Sequence, residues 1–294
     1  MTFSIVIATK DRAPFLARAL ATLEAQHAAP AFEAIVVDNG SSDGTPDVVR
    51  AARDRGTLDV RSLFVAEPNR GAARNAGIAV AKGRFILFVD DDVALPPGFV
   101  AAHGRAHTGA RAKAVSGPIL NVPGYEAQPK PSPLNYSGAF FCTCNVSVPR
   151  AALAAVGAFD ESFNLYGWED TELGVRLRRS GVRHRFAWDA YLWHIKPPRV
   201  ETLQSVLDKT TERAQMAARF LGKDSSLRTK LATGAYGLNL ARSAVFAPQW
   251  SLEGYRRLAA SDRVPDPVRA FARAQLLDGS YTSALRRALA ERGS

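Results

Sequence analysis

Apolar and polar positions follow two different periods along the first ninety or so residues. FSIVIAT (3–9), apolar but for Ser4 and Thr9, reads as a buried strand, whereas Phe15, Leu16, Ala19, Leu20 and Leu23 recur at helical spacing. The same succession repeats. AFEAIVVD (31–38) reads as a strand, and a helix follows with Thr45 as N-cap and Pro46 at its first position. LDVRSLFVAE (58–67) is a third strand, 71–83 a helix and RFILFVD (84–90) a fourth strand. Continuous Val/Ile/Phe runs separated by helices predict βαβ units in an α/β fold, its mostly parallel sheet covered on both faces.

Beyond Pro96-Pro97 the pattern loosens. Residues 114–122 and 138–148 read as strands joined by the proline-rich 123–133, a loop expected to be mobile. GWEDTELGVRLRRSG (167–181) predicts a helix, acidic in its first turn, basic in its last and closed by Gly181. From about 201 the pattern is helical, and no internal repeat is present. The expected organisation is a domain over 1–199, with halves 1–97 and 98–199, followed by a helical extension over 200–294.

Composition narrows the partners. The 294 residues are 47% hydrophobic and 22% charged, ordinary for a globular protein. The net charge is +10, and residues 200–294 hold 15 Lys/Arg against 9 Asp/Glu. Such a surplus suits a phosphate-bearing ligand, nucleic acid or an anionic membrane surface. No aromatic–basic platform or groove-reading helix stands out, so nucleic acid is not an expected partner. Cys142 and Cys144 are too few to staple a fold or build a zinc site and read as free thiols in a reducing compartment. No secretory leader and no run of 18 apolar residues occur, which predicts a cytoplasmic protein, at most peripheral at the membrane. Residues 227–250 mix apolar and basic side chains. They suit either an anionic bilayer surface or a packed amphipathic helix, and the second is the plainer reading.

Sheets of this kind bind ligands beyond the carboxyl ends of their strands. There stand Thr9 to Asp11, Asp38 to Gly44 and the triplet Asp90-Asp91-Asp92. Two carboxylates about 6 Å apart at an effective dielectric near 20 repel by roughly 3 kcal/mol. A divalent cation, Mg²⁺ or Mn²⁺, would relieve that at Asp90 and Asp92, and so would open water. Asp38 can accept a base N–H or simply close an Asx turn. Arg70 and Arg74 oppose the dipole of the helix they open, which suits phosphate, or solvation. Glu169 and Asp170 are ordinary first-turn acids, or one is a general base. His194 is a packed core histidine, or a third metal ligand that would favour Mn²⁺.

Together SIVIATKDR, VVDNGSSDGT, NRGAARNAGIAVAKGRFILFVDDD, VGAFDESF and GWEDTELGVRLRRSG resemble, in order and spacing, the family 2 glycosyltransferases of the GT-A fold, over residues 3 to about 195. The resemblance implies that Asp38 contacts the nucleotide base, that Thr9 and Asp11 line its pocket and that Asp91 belongs to the nucleotide site. Asp90 and Asp92 would form the DxD pair, Asp92 the more direct metal ligand, and His194 a further ligand. More weakly, Arg74 and Lys82 would face the diphosphate. Asp170 would activate the acceptor with Glu169 beside it, and Trp168 and Asn145 would face the acceptor. The implied reaction is metal-dependent inverting transfer from a nucleotide sugar, UDP favoured, to a carbohydrate or glycolipid acceptor in surface polysaccharide or glycoconjugate synthesis. No Gln-x-x-Arg-Trp signature follows, so a single-addition enzyme is expected. A sugar nucleotidyltransferase ranks lower, because ATKDRAPF lacks the glycines of its loop; a non-catalytic scaffold of the same fold is the other alternative. The oligomeric state is not legible.

Overall fold

In the computed structural model, which describes residues 1–109, 111–198 and 201–293, the first apolar run forms β1 (Phe3–Thr9), buried at every position but Ala8. β2 (Phe32–Asp38), β3 (Val60–Phe64) and β4 (Phe85–Val89) join it in parallel, in the order β3-β2-β1-β4. Alternate side chains of these strands enter two cores. Phe3, Ile5, Ile7, Val36 and Leu87 pack with Leu16, Leu20 and Leu23 of α1 (Ala13–Glu24) and with Val49 of α2 (Thr45–Arg55). Val6, Ile35, Val37, Ile86 and Phe88 pack on the opposite face with Ala73 of α3 (Arg70–Val80). Both faces are covered, as the unbroken apolar runs require.

The sheet continues from β4 through β8 (Asn145–Pro149), β6 (Lys113–Ser116) and β9 (Arg183–Phe186), with β8 antiparallel to both its neighbours. A second sheet of three strands holds β5 (Val93–Ala94), β10 (Leu192–Ile195) and β7 (Ile119–Val122). α4 (Phe99–Ala106), α5 (Arg150–Val156) and α6 (Glu169–Arg179) complete this part of the chain.

Three expected elements differ. The strand over 114–122 is two strands in different sheets, split at Gly117-Pro118. A Cβ on Gly117 would lie 1.9 Å from the Ala190 carbonyl oxygen, so only glycine admits that close approach. The strand over 138–148 begins only at Asn145. Helix α2 starts one residue early, at Thr45 with Gly44 as its N-cap, and Asp43 Oδ1 steadies that start by accepting both the N–H and the hydroxyl of Thr45.

By contacts the chain divides into two units, Met1–Asn164 with Glu169–Arg199, and Leu165–Trp168 with Val200–Ser294. In the second, α7 (Leu203–Lys223), α8 (Leu227–Thr233), α9 (Gly237–Phe246), a short 3₁₀ turn (Gln249–Ser251), α10 (Leu252–Ala260) and α11 (Asp266–Gly293) make an all-helical unit. Its core is built largely from Ala214, Ala217, Ala218, Leu221, Ala284 and Leu285, small residues that let α7 and α11 approach closely. Among the described residues no helix is long and apolar enough to cross a membrane.

Candidate active site

β1, β2 and β4 end at one edge of the large sheet. Their register sets Thr9 level with Asp38 on one side and, carried past the last β4 pair, with Asp91 on the other. Thr9 Oγ1 donates to Asp91 Oδ2 at 2.7 Å. Arg12, in the turn after β1, donates through Nη2 to Asp92 Oδ2 at 2.6 Å. Its Nε faces Asp91 Oδ1 at 3.2 Å without hydrogen-bond geometry. From β10, His194 brings Nε2 to 3.1 Å from Asp92 Oδ1, its ring held by Asn121 Oδ1 at 3.0 Å from Nδ1.

The three aspartates therefore differ. Burial pushes Asp91 up to about 6, against the pull of Arg12 and Thr9. Burial also raises Asp92, but the hydrogen bonds and charges of His194 and Arg12 outweigh it and the net shift is downward. Asp90 is raised by burial, with Arg74 opposing and Asp92 adding.

α3 and α6 bring a second group to the same place. Asn69 caps α3 by accepting the Ala72 N–H at 3.1 Å, and one turn on Arg74 lies 3.7 Å from Asp90 Oδ1 and 3.8 Å from Glu169 Oε1. Burial lowers the Arg74 pKa and the charges of Asp170, Asp90 and Glu169 more than restore it. Glu169 and Asp170 open α6 after two left-handed residues, Gly167 (φ 92°) and Trp168 (φ 76°). A bulky residue in that region stores strain of a kind common beside functional sites. Asp170 Oδ2 accepts the N–H and the hydroxyl of Thr143, each at 2.9 Å. Arg74 Nη1, Glu169 Oε2 and Asp170 Oδ1 are buried without hydrogen-bond partners. Unsatisfied buried groups cost about 1–3 kcal/mol each, so three in one cluster mark a place shaped for a ligand. Glu169 is itself raised by burial first and by Asp170 second.

The base pocket expected around Asp38 is a knot of side-chain-to-backbone bonds. Asp38 Oδ1 accepts the Ser41 N–H at 2.8 Å, closing an Asx turn. Asp11 (φ 51°) accepts the Ser42 N–H at 2.7 Å and donates its own N–H to Ser41 Oγ at 3.0 Å. The loops after β1 and β2 are thereby joined.

Three expected residues lie elsewhere. Asn145 is fully buried in β8 and cannot face an acceptor. Its Nδ2 donates to the carbonyls of Ala190 (2.8 Å) and Pro118 (3.3 Å), and its Oδ1 lies 3.0 Å from His103 Nε2. Lys82 lies at the opposite edge of the sheet, its N–H bonded to Glu33 Oε1 at the start of β2, so it cannot reach a diphosphate held at the acidic edge. Trp168 groups with the helical unit, where its indole donates to the Arg213 carbonyl at 2.9 Å and its ring lies 6.0 Å from that of Phe220. The loop 123–133 is anchored by the Trp193 indole, which donates to the Pro129 carbonyl.

Arg12, Thr143, Asn121 and Tyr125 were not singled out by sequence, and Cys144 was read there only as a free thiol. Arg12 carried a signal, being the cation of the TKDR turn directly after β1. The Tyr125 hydroxyl is buried without a partner, raised by burial, with the Arg18 guanidinium 5.6 Å from its ring centre and the charges of Asp91 and Asp92 acting on it. Cys144 Sγ, an Asp90 oxygen and a His194 nitrogen lie within 4.8 Å of one another. Burial raises Cys144 well above an ordinary thiol, which leaves it neutral and a poor ligand for a hard cation. Asp90, Asp92 and His194 supply the oxygen and imidazole donors that Mn²⁺ or Mg²⁺ takes. The Asp90 carboxylate, a third exposed, faces Arg74 across 3.7 Å, room that a closer counter-charge would fill. The residues present fit such an ion.

Comparison with known proteins decides the family. The model of glycosyl transferase family 2 matches residues 4–146, and that of the N-terminal domain of galactosyltransferase matches 127–204. Validoxylamine A glucosyltransferase of Streptomyces hygroscopicus subsp. limoneus is 31% identical over 271 residues, which cover 78% of this chain and 58% of the relative. The chain belongs to glycosyl transferase family 2. It spans 58% and 62% of the lengths of the two Streptomyces glucosyltransferases it resembles. Among solved structures, the Pyrobaculum calidifontis mannosyltransferase in complex with GDP-Man and Mn²⁺ superposes with a TM-score of 0.65 at 18% identity, covering 99% of this chain and 88% of that one. Staphylococcus aureus TarS (1–349) in complex with UDP-GlcNAc gives 0.56 at 20% identity, covering 100% and 93%. These likenesses establish the GT-A fold for this family 2 chain.

Proposed function

We propose that the chain transfers a sugar from a nucleotide-diphosphate sugar to an acceptor hydroxyl, inverting the anomeric centre. The observation that carries this reading is Asp170, which spends one oxygen on Thr143 and keeps the other buried and unpartnered beside the acids of the strand edge. Asp170 Oδ1 takes the proton of the acceptor hydroxyl as that oxygen attacks the anomeric carbon. The bond from that carbon to the diphosphate oxygen breaks on the opposite face, and the diphosphate leaves with the electron pair. Thr143 fixes the carboxylate so that its free oxygen is aimed, and Arg74 offsets the charge of Asp90, Glu169 and Asp170 before substrate arrives. Asp90, Asp92 and His194 would hold a divalent cation, which neutralises the leaving diphosphate when bound. Asp38, Thr9 and Asp11 border the nucleotide.

Residues 1–97 then form the donor half and 98–199 the acceptor half. UDP is the favoured nucleotide. UDP-GlcNAc in TarS supports it and GDP-Man in the archaeal mannosyltransferase marks the alternative; Mn²⁺ in the latter agrees with an imidazole among the ligands. A carbohydrate or glycolipid acceptor in glycoconjugate synthesis fits this chemistry. The test is incubation with UDP-, dTDP- and GDP-sugars and Mn²⁺, following nucleoside diphosphate release. Release accelerated by an acceptor is expected; pyrophosphate exchange, or binding without turnover, overturns the reading.

A further inference from the structure

Two consecutive helices of the second unit are turned inside out. In α8, Thr229 and Thr233 are 2% exposed while Leu227 and Leu231, one turn apart, are 70% and 54% exposed. In α9, Ser243 is 1% exposed while Leu238 and Val245 are 80% and 72% exposed, with Ala241 open between them. Phe246 and Trp250 extend the same apolar surface, Trp250 being 85% exposed. An amphipathic helix on a water-facing protein places its leucines inward and its hydroxyls outward. Here the hydroxyls are the packed groups.

Their partners show which way the leucines face. Ser243 Oγ bonds Thr282 Oγ1 at 2.6 Å, and the Thr233 carbonyl accepts from the Tyr281 hydroxyl at 2.8 Å. Arg242 pairs with Asp278 at 2.7 Å, and Arg286 donates to the Leu240 carbonyl at 2.8 Å. All four partners lie on residues 278–286 of α11. α9 thus rests its polar face on this segment, while α8 meets it only at the Thr233 carbonyl and buries Thr229 against Asp224 at the end of α7; each helix leaves its apolar face uncovered. So many exposed large apolar side chains on two consecutive helices exceed what a soluble surface carries without a covering partner.

Charge selects the partner. From 225 to 252 the chain has no Asp or Glu, whereas Arg228 and Lys230 fall within it, besides Arg242, which is paired with Asp278 of α11. Arg228 and Lys230 are exposed beside the outward leucines of α8. Apolar side chains, a solvent-exposed tryptophan and cations without interspersed acids are the composition that seats a helix pair at the headgroup level of an anionic bilayer. We propose that α8, α9 and Trp250 form a docking surface for a membrane rich in anionic lipid, lying flat on it without crossing. The structure reverses the plainer reading of 227–250 as a helix whose apolar side is packed inward. This inference does not depend on the proposed reaction.

The experiment is co-sedimentation of the full chain with vesicles of phosphatidylcholine containing 30% phosphatidylglycerol, and with pure phosphatidylcholine. At least ten-fold stronger partition onto the anionic vesicles is expected, weakening as salt rises. Leu238→Gln with Val245→Gln should reduce binding at least ten-fold, and Arg228→Gln with Lys230→Gln should flatten the salt dependence. Both pairs are exposed, so thermal melting and vesicle-free nucleoside diphosphate release should match wild type. Equal partition of wild type and the Leu238/Val245 variant overturns the proposal. So does failure to bind either vesicle, including the case where light scattering finds a dimer that the same variant dissociates, which would assign the face to a second copy of the chain.

Discussion

Thr143 grips one oxygen of Asp170 twice, through its N–H and through its hydroxyl, each at 2.9 Å, and leaves the other oxygen buried and free of hydrogen bonds. The carboxylate cannot swing without losing both bonds. Asp170→Asn keeps the shape and removes the proton acceptor. Transfer should fall by roughly three orders of magnitude, in the upper range for loss of a positioned base, while donor binding in a thermal-shift titration stays close to wild type. Thr143→Val removes the hydroxyl bond and keeps the N–H. A hydrogen bond to a charged group contributes about 1.5–3 kcal/mol, so a ten- to hundred-fold loss in kcat with unchanged donor KM is expected. An unchanged kcat in either variant would remove Asp170 from the chemistry.

Arg12 neutralises Asp91 and Asp92 from within the protein. Arg12→Met keeps the stem that packs near Phe15, whose ring centre lies 4.8 Å from the guanidinium carbon, and strips the charge. The metal-free variant should lose about 1–3 kcal/mol, less than for a fully buried pair because Arg12 is 30% exposed. The stabilisation gained on adding Mn²⁺ should grow, since the cation then offsets charge that Arg12 formerly offset. Melting temperatures with and without Mn²⁺ read both effects.

The thiol beside the acids gives a cleaner test of the metal set. With Cys144 held neutral by burial, Cys144→Ser should bind Mn²⁺ within about three-fold of wild type, whereas Asp90→Asn and Asp92→Asn should weaken it at least ten-fold. Calorimetric titration with Mn²⁺ alone distinguishes these. Strong loss in the serine variant would make Cys144 a ligand and change the metal it selects.

The parallel half of the fold was legible because its strands are short, mostly apolar runs and the helices between them keep apolar residues at helical spacing. Register then brought Thr9, Asp38 and Asp91 together from residues that sequence had already placed at strand ends. The antiparallel half was harder. Residues 114–122 read as one strand, yet Gly117 is pressed against the Ala190 carbonyl and Pro118 cannot donate to a ladder, so the run divides between two sheets. Asn145 was expected to face the acceptor only because the family resemblance implied it. In the fold it satisfies the carbonyls on either side of that division. Thr143 left no local trace, since its partner Asp170 is 27 positions away.

Asn145 belongs to a buried network whose protons can be assigned from its geometry. Its Nδ2 donates twice, so Oδ1 must accept from His103 Nε2–H, and His103 Nδ1 then accepts from the Ser147 hydroxyl at 2.8 Å. His107 Nε2 completes the chain by donating to Ser147 Oγ at 2.7 Å. Both rings are neutral: burial lowers His103 from 6.5 to about 4 and His107 from 6.5 to about 3. Below pH 6.5 the unfolded chain binds protons that the folded chain refuses. The contribution is therefore complete above pH 6.5 and is lost progressively as pH falls toward 4 and 3. Between pH 6.5 and 5 this amounts to roughly 2 kcal/mol for His103, with His107 adding a similar or smaller share. Asp91, raised to about 6, acts in the opposite direction below that pH, so the comparison is made between variants. His107→Phe keeps a ring stacked on Phe85, 4.0 Å between centroids, and removes one proton site. Its urea midpoint should fall less steeply than that of wild type from pH 6.5 to 5, and parallel slopes would mean that His107 is already charged in the folded protein.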